Sequence, residues 1–206
     1  MTDHADTVPR GFPGHGRSRW IVAGTLAVVV LAAFILWLIG RLPGAPLRPG
    51  PLEGTNYEEL KVRTNTAETG ILWGSLQLHN GTGFDVVLDK VTLADNPQNT
   101  QPSAGPYIWD TDRVALLNTG SVSGYSIPLP SDWKIPPRHS VKGFRIRPHA
   151  EEESVEVLYE LPVPTRVTEV HGMTVRYHTR GLAYQRTYDI SIIICPPSDG
   201  SRCKTS

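Results

Sequence analysis

The 206-residue sequence is short of most features by which an activity is recognised. Two cysteines cannot build a disulfide scaffold or a four-thiolate zinc site. Twenty Lys and Arg residues balance twenty Asp and Glu, so the chain has neither the basic excess of a nucleic-acid binder nor the acidic excess of a disordered tail. We therefore expect no nucleic-acid partner.

Catalytic and cofactor motifs are missing as well. Residues 120–124 have glycines at both ends, as in a nucleophile elbow, but Val122 stands where the nucleophilic serine belongs. His149 is close to the three glutamates at 151–153, but the sequence contains no HExxH, His-x-His or calcium-loop pattern and no phosphate-binding glycine loop. We therefore expect a protein that is not an enzyme and that uses no metal or cofactor.

One long apolar run is present, over residues 20–40, and it contains no charged side chain. A helix of this length spans about 31 Å, which matches a hydrocarbon core of about 30 Å. Trp20 and Trp37 lie near its ends, where indoles favour the membrane interface. A cleaved signal peptide is the alternative, but the run is longer than a signal core and no good cleavage site follows it. The run predicts a retained transmembrane helix in contact with the lipid bilayer.

The flanks of this run predict topology and domain organisation. More arginines precede the run than follow it closely, which favours a cytoplasmic N-terminus in a single-pass protein of the cell membrane. Residues 1–19 have few apolar side chains and are predicted to be a disordered cytoplasmic tail. Residues 41–56 are rich in proline and glycine and are predicted to be a linker. Residues 57–206 are then predicted to form the extracytoplasmic domain.

Apolar residues in this domain alternate with period two. Val155, Val157 and Tyr159 share one face of a predicted strand, with Glu156 and Glu160 on the other, which is typical of a half-buried strand.

A second alternating pair of runs predicts a long terminal hairpin. Met173, Val175 and Tyr177 alternate with polar residues, and a further alternating run follows Arg180 and Gly181. Other predicted strands cover residues 71–79, 85–94, 107–117 and 140–147, separated by Asn80-Gly81 and by loops at 96–105 and 128–137. The pattern predicts an all-β protein, a two-sheet sandwich of about seven strands, with a barrel as the alternative.

Three stretches carry a resemblance to known proteins: residues 76–93, with Asn-Gly between strands; residues 133–146, with a proline-marked turn; and the closing hairpin at 173–195. Together they resemble single-pass membrane proteins of actinobacterial type with an Ig-like extracytoplasmic domain. The resemblance covers roughly residues 70–203 and implies an Ig-like sandwich. Both cysteines lie near the C-terminus, so the Cys, Trp, Cys set of antibody domains is missing. The resemblance transfers no catalytic residue.

Few side chains are candidates for a specific role. Cys195 and Cys203 bracket a turn-rich segment and are predicted to form a disulfide, which fits an oxidising compartment. Asn80-Gly81-Thr82 matches a glycosylation sequon but is interpreted as a hairpin turn.

The remaining candidates are surface groups. Six cations lie on strands that are potential neighbours, and we interpret them as a solvated face, with lipid headgroups or cell-wall polymers as the alternative ligands. They are Lys142, Arg145, Arg147, Arg176, Arg180 and Arg186. Trp109 and Trp133 lie in turn-rich segments and are the candidate binding aromatics, although either ring can instead close one end of the sandwich.

These patterns predict a membrane-anchored, extracytoplasmic interaction or structural module with a protein partner in the envelope. The alternatives are a domain that binds a small ligand or carbohydrate and an accessory subunit of a membrane complex. An exposed tryptophan beside a concave pocket favours the ligand alternative, and a flat apolar patch favours a protein partner.

Overall fold

The computed structural model describes residues 17–38, 47–55, 58–110, 123–148, 154–198 and 203. The chain divides into two units, Met1–Pro46 and Leu47–Ser206. In the first unit, helix α1 covers Arg17–Leu38, and its described side chains, at residues 26–37, are all exposed. Over the described part of the chain, no helix combines the length and the hydropathy that a bilayer crossing requires. The predicted span over residues 20–40 stays a prediction. Residues 1–16 of the predicted tail lie outside the described residues, whereas its last three residues, 17–19, belong to α1.

The second unit is built of strands, eleven of them within the described residues. Their bounds are β1 Glu53–Gly54, β2 Glu58–Arg63, β3 Gly70–His79, β4 Val86–Asp95, β5 Ala104–Asp110, β6 Tyr125–Ile127, β7 His139–Ser140, β8 Arg145–Ile146, β9 Val155–Pro162, β10 Thr168–Thr179 and β11 Leu182–Cys195. This confirms the predicted β class.

The strands form two sheets. A six-stranded sheet has the order β1-β3-β9-β5-β7, with β6 also paired to β3. A five-stranded sheet has the order β2-β11-β10-β4-β8, in which β2 runs parallel to β11. Apolar side chains from both sheets, Trp73 and Tyr159 from one and Val175 and Ile192 from the other, join one buried core. The unit is therefore an all-β, sandwich-like fold.

The predicted terminal hairpin is confirmed. Strands β10 and β11 pair from Thr168↔Ile194 to Thr179↔Leu182, so the connection is Arg180-Gly181 alone. Both residues have positive φ, 51° and 74°, which is the geometry of a type I′ turn. This turn matches the twist of the flanking strands, and glycine at the second position adopts it without steric cost.

The prediction of a hairpin at Asn80-Gly81 is wrong. Strand β3 belongs to the six-stranded sheet and β4 to the five-stranded sheet, so the two strands do not pair. Asn80 is fully buried; its side-chain amide donates to the carbonyls of Phe84 and Ile146, and its Oδ1 accepts from Thr82. The segment crosses between the sheets around this buried amide. Burial also removes Asn80 as a glycosylation acceptor in the folded protein.

The predicted linker over residues 41–56 needs correction. Residues 47–55 belong to the second unit, where Leu52 is fully buried in the core and β1 pairs with β3. The backbone of Leu52 is held on both sides: its N–H donates to the Tyr177 hydroxyl at 3.1 Å, and its carbonyl accepts from Tyr188 at 2.9 Å and Arg186 at 3.0 Å. Proline and glycine here permit an extended segment that fits between side chains, rather than a free spacer.

Two predicted strands differ from the strands in the structure. The predicted strand over 140–147 is two short strands, β7 and β8, which lie in different sheets. Gly143, with φ of 83°, lies between them, and the chain turns there because this conformation ends the extended run. The predicted strand over 107–117 is β5, and residues 111–117 lie outside the described residues.

Candidate interaction surface

The outward face of the six-stranded sheet carries a second buried cluster. Leu72, Tyr107, Trp109 and Leu158, from β3, β5 and β9, are each at most 6 % exposed. We call these four residues the outer cluster. Their neighbours along the strands, such as Ile71, point into the main core, because successive residues of a strand face opposite sides. Both faces of this sheet are therefore buried.

A proline-rich segment covers the outer cluster. Residues 128–137, which we call the proline loop, carry four prolines that restrict the backbone. Trp133 and Leu129 of this loop are half-buried against the cluster, and the Trp133 ring meets the Tyr125 ring edge-on with centroids 4.6 Å apart. Ile135 projects outward and is 47 % exposed. The loop thus presents apolar side chains on a fixed support.

The two candidate tryptophans have different positions. Trp109 is fully buried in the outer cluster, where its indole N–H has no hydrogen-bond partner among the residues that the structure describes. Trp133 is half-buried in the proline loop. A ligand would reach Trp109 only after the cover moved, whereas a partner would meet Trp133 and Ile135 directly.

Polar groups border the cluster. The Tyr107 hydroxyl donates to Glu160 Oε1 at 3.0 Å, Arg138 forms an ion pair with the same carboxylate, and its guanidinium lies over the Tyr107 ring at 4.5 Å. Burial, and then the nearby Glu160 carboxylate, raise the pKa of Tyr107 well above its usual value. Tyr107 therefore stays neutral and donates to Glu160.

Glu156 corrects the prediction of a half-buried β9. Its side chain is on the predicted solvent face, yet it is fully buried opposite Trp109. Gly74 lies beside it, and a Cβ at that position would be 2.7 Å from Glu156 Oε1. The sequence pattern missed this burial because alternation along one strand does not reveal what covers its second face.

The six cations that were predicted to form one solvated face do not lie together on one face. Arg186 is turned towards residues 47–55 and lies over the Tyr188 ring, Arg145 contacts Asp85 at 3.4 Å, and Arg180 lies over the Phe84 ring at 4.5 Å. Phe84 is 50 % exposed. The Phe84–Arg180 contact joins two loops distant in sequence, so no local pattern pointed to it.

The predicted disulfide is present between Cys195 and Cys203, with Cα atoms 6.1 Å apart. It closes the end of β11, and the Cys195 carbonyl accepts from the backbone and the hydroxyl of Thr64 at the end of β2. The bridge therefore fastens one corner of the five-stranded sheet.

Among the described residues, no group of three His, Cys, Asp or Glu side chains could hold a metal ion; His149 and residues 151–153 lie outside them. Residues 120–122 also lie outside the description. Comparisons of this chain with family models, with curated proteins and with solved structures found no match.

Proposed function

We propose that the protein is a non-catalytic interaction module, anchored in the cell membrane through residues 20–40. Its second unit, Leu47–Ser206, which we call the β unit, then lies outside the cytoplasm. The observation that carries the proposal is the character of α1. Every described side chain of the helix, at residues 26–37, is apolar and exposed. Exposing such a surface to water is unfavourable by about 25 cal/mol per Å², and a lipid bilayer removes that cost.

The disulfide supports the same location. Bridges between cysteines persist in oxidising compartments and are rare in the cytosol. The proposed orientation places the N-terminus in the cytoplasm and the Cys195–Cys203 bridge outside it, in agreement with the arginines that precede the apolar run.

We further propose that the β unit has Ig-like topology. The strand order β1-β3-β9-β5 corresponds to the A-B-E-D sheet of such domains, and β4-β10-β11 corresponds to C-F-G. The short strands β6, β7 and β8 depart from that plan, since they lie between the fourth and fifth main strands in the chain. They bring the proline loop onto the outer face.

The proline loop is the proposed contact surface for a protein partner in the envelope. Trp133 and Ile135 supply apolar area, and the prolines reduce the entropy lost when the surface is ordered. This mode of binding requires no deep pocket. It therefore does not need access to Trp109, which is fully buried.

The test uses the full chain in its native membranes. Carbonate extraction is expected to leave it in the membrane pellet, and protease added outside is expected to digest the β unit and spare the N-terminal tail. Crosslinking followed by purification is then expected to recover a partner with the wild type, less of it with Trp133→Ala combined with Ile135→Ser, and an unchanged amount with the control Thr174→Ala. Release by carbonate, or a product beginning near Pro46, would contradict the anchor.

A further inference from the structure

The direction in which the chain enters the β unit is set by residues 47–55. Arg48 forms a parallel bridge with Tyr184, and its carbonyl accepts from the Gln185 N–H at 3.0 Å. Because the pairing is parallel, the chain through Leu47 runs from the side of the Arg180-Gly181 turn towards the middle of β11. The β unit is therefore tethered at the end of the sandwich that holds this turn.

The tether is short. Leu47 follows Gly40, the last residue of the proposed span, by seven residues, which reach at most about 25 Å. Strand β11 has 14 residues, so Cys195 lies about 45 Å beyond the tethered end. In a protein anchored through residues 20–40, this reach keeps Leu47, and the tethered end around it, within about 25 Å of the end of the span.

An exposed aromatic ring lies at this end. Phe84 is 50 % exposed, and the Arg180 guanidinium covers one of its faces at 4.5 Å. Two hydrogen bonds hold the backbone of Phe84 in place: Asn80 donates to the Phe84 carbonyl at 2.8 Å, and the Thr82 hydroxyl accepts from the Phe84 N–H at 3.3 Å. A fixed aromatic with an adjacent guanidinium has the apolar body and polar head that favour a membrane interface.

The charges around Phe84 suit phosphate groups. Arg48, Arg147 and Arg180 are exposed, and Arg145 is 71 % exposed beside Asp85. Two other carboxylates near this end face histidines: Glu53 contacts His79, and Asp89 contacts His178, each at 2.8 Å. The acidic residues 151–153 follow Arg147 in sequence and lie outside the described residues. Individual guanidinium groups can bind phosphate through charge-assisted hydrogen bonds whatever the net charge of this end.

We propose that the end of the β unit formed by Arg48, Phe84, Arg145, Arg147 and Arg180 lies on the phospholipid surface, with the Phe84 ring in the interface and guanidinium groups on lipid phosphates. This inference rests on the proposed membrane anchor. It assigns the tethered end to lipid and leaves the proline loop for a partner.

The test places a photoreactive p-benzoylphenylalanine in the full chain, in native membranes, in place of Phe84 or of Ile135. Ile135 is the matched control because it is apolar and 47 % exposed. After illumination, mass spectrometry is expected to find several-fold more phospholipid adduct at position 84 than at 135. Adding Arg180→Gln to the chain labelled at 84 is expected to lower that adduct several-fold.

Carbonate extraction of the same membranes separates the two ways of failing. Release of the chain by carbonate overturns the anchor, and the inference with it. A chain that stays in the pellet but gives equal lipid adducts at the two positions, or only protein adducts at 84, overturns the inference and leaves the anchor standing.

Discussion

The two sheets of the β unit differ in what covers their outward faces. The six-stranded sheet buries Leu72, Trp109 and Leu158 under the proline loop. The five-stranded sheet directs polar side chains outward, as in the pair of Thr174 and Thr187, whose hydroxyls are 2.9 Å apart, and Arg176, which is exposed. One sheet is thus the middle layer between two cores, and the other separates one core from solvent.

This difference shows how period-two alternation can mislead. Alternation predicts a polar outward face wherever a charged residue takes alternate positions, as Glu156 and Glu160 do in β9. Strand β10 obeys this rule, whereas β9 buries nearly every residue. The outward face of β9 is covered by the proline loop, which lies in a different part of the sequence.

The largest effect is expected from truncating the covered face. Leu158→Ala removes a fully buried side chain from the outer cluster and is expected to lower the free energy of unfolding by about 2–5 kcal/mol. Thr174→Ala on the open face of the other sheet is the control and is expected to change it by about 0.5 kcal/mol or less. Urea unfolding of the unit expressed from Leu47 measures both. Equal, small losses would show that the proline loop does not seal a second core.

A smaller effect is expected from opening the covalent bridge of the five-stranded sheet. Cys203→Ser is expected to lower the free energy of unfolding by about 2 kcal/mol or less, because the short ring releases only the end of β11. Reduction of the wild type should give the same loss, and the unreduced protein should show no titratable thiol. A loss larger than that of Leu158→Ala would mean that this sheet depends on the bridge more than the other depends on its cover.

The smallest effect is expected at a single residue, Tyr107, and it concerns how the free energy of unfolding depends on pH. Its pKa is raised in the folded protein, so the stability it contributes is full below the ordinary tyrosine value of about 10 and is lost as the pH rises above it. Near pH 8, Tyr107→Phe is expected to lose about 1 kcal/mol with the hydrogen bond to Glu160.

Above about pH 10, the difference in the free energy of unfolding between the wild type and Tyr107→Phe should narrow by up to about 1.4 kcal/mol per pH unit. The reason is that Tyr107 then ionises in the unfolded wild type, whereas the variant has no group to ionise at this position. Unfolding titrations of both proteins across this range provide the measurement. A gap that stays constant with pH would argue that Tyr107 is not sealed from water by the outer cluster.

Local patterns were sufficient for several elements. Alternation located β3, β4, β9, β10 and β11, because each has one face in the main core. The Arg180-Gly181 turn and the Cys195–Cys203 pair were predictable, since each depends on residues close in sequence.

The β class, the terminal hairpin, the disulfide and the apolar character of residues 20–40 could all be read from the sequence, because each is encoded in a short stretch. Three features became visible only in the folded chain: β3 and β4 belong to different sheets, residues 47–55 place Leu52 in the core, and Trp109 is buried beneath Trp133. These features depend on which distant segments come into contact, and alternation along a strand shows which of its faces are apolar but not what covers them.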